Sequence, residues 1–328
     1  MTAARTIVLE PAAQQVADTF AQPPYLYEMA PADARKVLED AQSAPVGKLP
    51  VDEEWITVPS PAGDVRVRII RPQGATGMLP VIVYMHGGGW ILGNAGTHDR
   101  LVREIAVGAR AALAFVEYPN SPEARYPTAI EQGYAVAQWI TRNGASKGLD
   151  ASRMAVAGES VGGNMTAALA LMAKQRGDVT FVQQSMYYPV TDAAMNTASY
   201  EQLATGYYLS RKAMEWFWNA YTTEPAQRAE ITASPNRASV EQVTGLPPTF
   251  LCVDEAVRQA RRFRSTWQEE LVRYLIHGVL HLRGYGDHHR SERHRMKQEE
   301  DRLLGALAGQ FDFPTLSHRS PGAKAVSR

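Results

Sequence analysis

The stretch RMAVAGESVGGNMTAALALMAK, residues 153–174, decides the fold. Arg153 to Ala157 reads as a short buried strand, and Asn164 to Lys174 as a helix rich in Ala, Leu and Met. Ser160 lies in the turn between them, within Gly158-Glu159-Ser160-Val161-Gly162. A G-x-S-x-G sequence on a strand-to-helix turn is a nucleophile elbow. Its glycines remove side chains where the sharp turn would clash, and the serine is strained with its hydroxyl exposed. The N–H of Val161, at the helix start, can point at a developing oxyanion.

Upstream, Leu79 to Met85 is an apolar strand that ends in His86-Gly87-Gly88-Gly89-Trp90. Successive glycines let the backbone approach a substrate carbonyl closely. The N–H groups of Gly88 and Gly89 are candidate oxyanion donors, with Val161 as the third. One such donor contributes about 3–4 kcal/mol to a transition state.

Further out, Trp55 to Val58 and Val65 to Ile70 read as an antiparallel hairpin around Ala62-Gly63-Asp64. Strands at 81–85, 112–117, 153–157, 182–188 and 248–253 alternate with helices at 98–108, 127–142 and 162–174. That alternation predicts an α/β fold, a doubly wound, mostly parallel sheet with helices on both faces. No internal repeat interrupts it.

HGGGW, SPEARYP at Ser121 to Pro127, GESVGGN around Ser160 and YYPVTDA at Tyr187 to Ala193 together resemble the hormone-sensitive-lipase-like family of α/β-hydrolases. The resemblance covers about residues 1–253. It implies an α/β-hydrolase core with a helical cap from about 1–50 and 198–235, the latter carrying Tyr207, Tyr208, Trp216, Phe217 and Trp218. It also implies hydrolysis of carboxylic esters of short to medium acyl chain, without a cofactor. His86 would be structural in such a motif.

The pattern breaks near Asp254. Leu246 to Val253 reads as the strand that presents the triad acid. In the resembled family an Asp follows within a few residues, in a stretch like D-x-L-x-D-E-G. Here Asp254-Glu255-Ala256-Val257-Arg258-Gln259-Ala260 follows, and Val257 stands where the acid is expected. The later Ile-His-x-Phe-like turn that carries the base is absent. Instead VDEAVRQARRF, EELVRYLIHGVLHLRGYGDHH and RMKQEEDRLL, from Val253 to Leu304, resemble the C-terminal half of the YbeY rRNA maturation endoribonuclease family. The VDEA string suits both families and marks the seam of an apparent chimera. The N-terminal half of that ribonuclease fold has no counterpart upstream.

Trp267 to Leu282 reads as a helix with Ser265 or Thr266 as N-cap and Glu269 and Glu270 in its first turn. His277 and His281 are four apart and share a helical face, which suits two ligands of one Zn²⁺. In the resembled family the third ligand is a His ten residues after the first. Asp287 holds that position here, with His288 next, and either could close the site. His288, His289, His294 and the arginines between 290 and 295 could touch phosphates or form a solvated face.

The 328 residues suffice for one large α/β domain. The 45% apolar and 21% charged content is that of a soluble globular chain. A formal net charge of zero argues against a dedicated nucleic-acid surface. Cys252 is the only cysteine, so no internal disulfide forms. The N-terminus shows no signal peptide and no stretch of 18 apolar residues occurs, so a cytoplasmic protein without membrane contact is expected.

The expected organisation is a core with cap at 1–253, a helical metal-motif segment at 254–310 and a disordered tail at 311–328. The sheet is expected to be truncated after residue 253, and an uncovered edge would invite homo-oligomers. The leading functional expectation is a serine hydrolase acting on a small-molecule ester. Ser160 is the nucleophile and Asp254 the nearest carboxylate to the acid position. His281 or His288 is the base if the C-terminal segment folds back, and turnover is weak or absent. The alternatives are a zinc-dependent, RNA-cleaving segment with ligands His277, His281 and His288, or a chimera whose parts do no joint chemistry.

Overall fold

The computed structural model describes residues 11–247, 249–250, 260, 263–282, 285, 290–311 and 313. Its strands are β1 (Val51–Val58), β2 (Val65–Pro72), β3 (Leu79–Met85), β4 (Ala112–Glu117), β5 (Leu149–Glu159), β6 (Gln183–Tyr187) and β7 (Thr249–Phe250). They form one seven-stranded sheet in the order β1-β2-β4-β3-β5-β6-β7. The β1–β2 and β2–β4 pairs are antiparallel, and every other pair is parallel. The hairpin read from the sequence closes with Val58 opposite Val65.

The helices are α1 (Pro11–Phe20), α2 (Pro31–Ala41), α3 (Asp99–Ala109), α4 (Thr128–Asn143), α5 (Val161–Arg176), α6 (Ala198–Gln202), α7 (Arg211–Tyr221), α8 (Pro225–Ala229), α9 (Val240–Val243), α10 (Trp267–Leu282) and α11 (Arg290–Ala308). Side chains alternate across a strand, so β3 divides its residues between two cores. Val81, Val83 and Met85 join the face that carries α4 and α5, with Ile130, Val136, Met165 and Leu169. Ile82 and Tyr84 join the face under α3, with Val102, Ala106, Leu113 and Phe115. A strand buried on both faces reads as an unbroken apolar run, which is why LPVIVYM carries no period-two pattern.

A buried ion cluster fastens the hairpin to α3. Arg68, on β2, pairs with Glu53 on β1 and with Asp99 at 2.7 Å, and Arg103 bonds the same Asp99 at 2.7 Å. On the outer edge, Arg66 lies over the Trp55 ring at 4.3 Å.

Among the described residues the sheet ends at β7, whose two residues pair with Gln184 and Ser185. α10 packs against β5, β6 and β7, and α10 and α11 form an antiparallel pair with a small core of Ile276, Leu280 and Met296. Arg273 pairs with Asp301 and His277 with Glu300 across that pair. Arg264 adopts φ 56° and the helix starts at Trp267, where the sequence reading places it. Thr266 is its N-cap: the Glu269 N–H donates to the Thr266 hydroxyl at 3.2 Å, and the Thr266 N–H donates to the Glu269 carboxylate at 2.7 Å. That reciprocal capping fixes the start of the helix. Phe313, placed in the tail by the sequence reading, is buried. The remainder of that tail, 314–328, lies outside the described residues.

Candidate active site

β5 delivers Ser160 to the turn and α5 starts one residue later. Ser160 adopts φ 55° and ψ −118°, a conformation that L-residues rarely hold. Three backbone bonds hold it there. The Ser160 N–H donates to the Tyr187 carbonyl at 2.9 Å, and its own carbonyl accepts from Val190 and Asn164 N–H, each at 3.1 Å. The elbow glycines are dictated by space: a Cβ at Gly158 would lie 2.4 Å from the Met85 carbonyl oxygen, and one at Gly162 only 2.0 Å from it. Asn164 anchors the following turn by donating to the Val190 and Ala233 carbonyls at 2.7 and 2.8 Å.

The glycine loop after β3 faces the elbow. Gly88 has φ 107° and its carbonyl accepts from Leu92 N–H at 2.8 Å. Trp90, at φ 62°, is buried and stacks on Tyr221 of α7 with 4.0 Å between centroids. Its carbonyl accepts from the Ser121 N–H at 2.8 Å. Arg35 of α2 donates to the carbonyls of Ile91 and Ser121. The SPEARYP segment and the N-terminal helices thus brace the glycine loop from outside.

A cavity of about 710 Å³ opens where these parts meet. Gly88, Gly89, Ser160, His98, Tyr208 and Phe217 are among its walls. Val161 is buried behind it as the first residue of α5. Its N–H is one of the helix-start donors without an intrahelical acceptor. A second cavity of about 490 Å³ meets Ser160 from the other side, against Asp192, Met195, Arg211 and Asn236. Ser160, Gly88 and Gly89 therefore share the walls of one cavity.

Sequence reasoning missed the residues behind the loop. The buried Glu159 carboxylate accepts from the Gly87 N–H, from the Tyr84 hydroxyl at 2.6 Å and from His98 Nε2 at 2.9 Å. Burial alone would raise its pKa, but His98, Tyr84 and the Gly87 N–H together hold it below the usual carboxylate range. Burial and the Glu159 charge push the Tyr84 hydroxyl well up. The one available signal was an acidic residue at the end of an otherwise apolar strand.

His86 stacks between Tyr118 and Phe115, with its Nδ1 2.8 Å from the Gly87 carbonyl. It is 1% exposed, and burial and neighbouring His98 lower its pKa from 6.5 to about 3. Its structural role follows from that burial. Unfolding restores a normal imidazole that binds a proton below pH 6.5, whereas the folded chain refuses one until about pH 3. Stability from this group is therefore complete above pH 6.5. As pH falls toward 3 it should decline by about 1.4 kcal/mol per unit, measurable as a falling urea midpoint.

His98 is also committed, with Nε2 on Glu159 and Nδ1 2.9 Å from the Thr97 hydroxyl. His98 lines the same cavity as Ser160, but both of its ring nitrogens are engaged by these partners. The expected acid Asp254 and the candidates Asp287 and His288 lie outside the described residues, as does the side chain of His281, whose backbone is helical within α10. His277 directs Nδ1 at Glu300. Among the described residues no three His, Cys, Asp or Glu side chains stand together as a metal site. No described helix is long and apolar enough to cross a membrane.

A profile of the alpha/beta hydrolase fold matches residues 82–277. The chain is 35% identical over 242 residues to the esterase LipI of Mycobacterium tuberculosis, covering 70% of this chain and 75% of that one. It is 37% identical over 192 residues to the carboxylesterase NlhH of the same organism, covering 57% of this chain and 59% of the relative. The crystal structure of a thermostable esterase from Pseudomonas putida superposes with a TM-score of 0.71 at 43% identity, over 74% of this chain and 76% of that one. The chain belongs to the hormone-sensitive-lipase-like family of α/β-hydrolases.

Proposed function

We propose that this chain is a carboxylesterase-type serine hydrolase acting on small esters. One observation carries the reading: the strained Ser160 and the Gly88–Gly89 backbone share the walls of one cavity beneath α7. In this reading an ester carbonyl enters that cavity and Ser160 Oγ attacks its carbon. The N–H groups of Gly88, Gly89 and Val161 receive the oxyanion, the alcohol leaves, and water releases the acyl group. The acid and base come from beyond Phe250, with Asp254 as acid and His281 or His288 as base. Because the Asp254 region departs from the family pattern, and His86 and His98 are already bonded elsewhere, turnover is low. The relatives named esterases support the chemistry.

The zinc-dependent, RNA-cleaving alternative is favoured by no observation among the described residues, where no three His, Cys, Asp or Glu side chains stand together as a metal site. The test is hydrolysis of p-nitrophenyl acetate and butyrate by the whole chain, with and without a chelator. Turnover that survives the chelator is expected. Turnover abolished by it and restored by Zn²⁺ would overturn the reading.

Acyl length should be set by Tyr208. It lines the main cavity and also a third one of about 320 Å³ beneath the N-terminal helices, whose walls include Phe20, Tyr25 and Tyr207. Its ring meets Phe20 edge-on at 4.9 Å. Tyr208→Ala joins the two spaces. The octanoate-to-butyrate ratio of kcat/KM should rise about tenfold, read with p-nitrophenyl esters.

A further inference from the structure

We infer that Glu159 is a positioning residue for the oxyanion hole, acting through Gly87. The inference rests on the esterase reading only for its catalytic consequence. Glu159 is the residue immediately before the nucleophile and shares its cavity wall, and its carboxylate bonds the backbone of the glycine loop. There it accepts the Gly87 N–H, one position before the two proposed donors Gly88 and Gly89. The fit is tight from both sides. A Cβ at Gly87 would lie 2.6 Å from Glu159 Oε1 and 2.8 Å from the Glu159 carbonyl oxygen, so that glycine exists to admit this carboxylate.

The carboxylate is itself oriented. The Tyr84 hydroxyl donates to Oε2 at 2.6 Å, and His98 Nε2 sits 2.9 Å from Oε1. His98 is fixed in turn by Thr97 and by the Asn94 carbonyl. Glu159 is only 8% exposed, so its bonds form in a low-dielectric setting where an oriented acceptor holds an N–H firmly. The sequence brings nucleophile and loop together through adjacent parallel strands: Met85, at the end of β3, pairs with Gly158 on β5. Glu159 then ties the two motifs side chain to backbone, so the donors and the serine keep one spacing. Preorganised donors need that constancy, because their contribution depends on meeting the oxyanion without rearranging.

The test uses Glu159→Ala, Glu159→Gln and Tyr84→Phe in the full chain. Amide hydrogen exchange of the segment 86–93 reads the clamp without any need for turnover. It should accelerate about tenfold or more in Glu159→Ala, and recover most of the way in Glu159→Gln, which retains an acceptor oxygen. On p-nitrophenyl butyrate, kcat should fall about 10²-fold in Glu159→Ala with KM nearly unchanged, and Glu159→Gln should regain about tenfold of it. Tyr84→Phe, which leaves the Gly87 bond in place, should show a smaller change of the same sign. Unchanged exchange in Glu159→Ala overturns the inference. So does accelerated exchange with kcat unaltered. Accelerated exchange in a chain whose native form hydrolyses no ester would leave the clamp standing and remove the esterase reading instead.

Discussion

Replacing Ser160 with alanine should lower ester turnover by about 10³-fold or more, to the level that the oxyanion donors alone can sustain. Ser160 is the residue at the elbow whose side chain meets both cavities, and its backbone is held at φ 55° by bonds to Tyr187, Val190 and Asn164. None of those three bonds involves the hydroxyl. The Ser160→Ala chain therefore keeps its elbow, and its melting temperature should stay within about two degrees of the parent. Loss of activity without loss of stability is the signature expected of a nucleophile. A fall in both would instead mean that the serine supports the turn.

Gly162→Ala should do the reverse and damage fold and activity together. The new Cβ would sit 2.0 Å from the Met85 carbonyl oxygen and 2.8 Å from the His86 carbonyl carbon. Both atoms are backbone, at the end of a strand paired on either side with β4 and β5. Neither can yield, so α5 must withdraw from the sheet. The expected loss is about 3 kcal/mol or more of stability, seen in urea unfolding, with turnover falling to the level of Ser160→Ala. Gly108→Ala is the matched control, since a Cβ there meets nothing within 4 Å on helix α3. It should raise stability by about 0.5–1 kcal/mol and leave turnover alone.

The parts of this molecule that could be read from its sequence are those encoded locally. The elbow announces itself because a buried strand, two space-limited glycines and a helix start lie within a dozen residues, and α5 begins one residue from where the pattern puts it. α10 is read to the residue, from Trp267 to Leu282, because its cap and its apolar face are both local. β5 extends back to Leu149, beyond the apolar run, because its early residues pair with Leu79 and Pro80 across a break in register. No periodicity reveals a pairing of that kind. Glu159 was invisible for the same reason: its partners Tyr84, Gly87 and His98 come from other elements, and only the sheet order brings them together. The expected acid and base positions fall beyond Phe250, where Asp254, His288 and the side chain of His281 lie outside the described residues.

The most direct measurement is covalent trapping. The full chain is treated with diethyl p-nitrophenyl phosphate, p-nitrophenol release is counted, and the protein is digested and analysed by mass spectrometry. The account predicts release of about one equivalent and a single modified peptide carrying the adduct on Ser160, with no reaction in Ser160→Ala. Equal labelling of Ser160→Ala, or no labelling of the parent at a concentration that saturates other serine esterases, would contradict it.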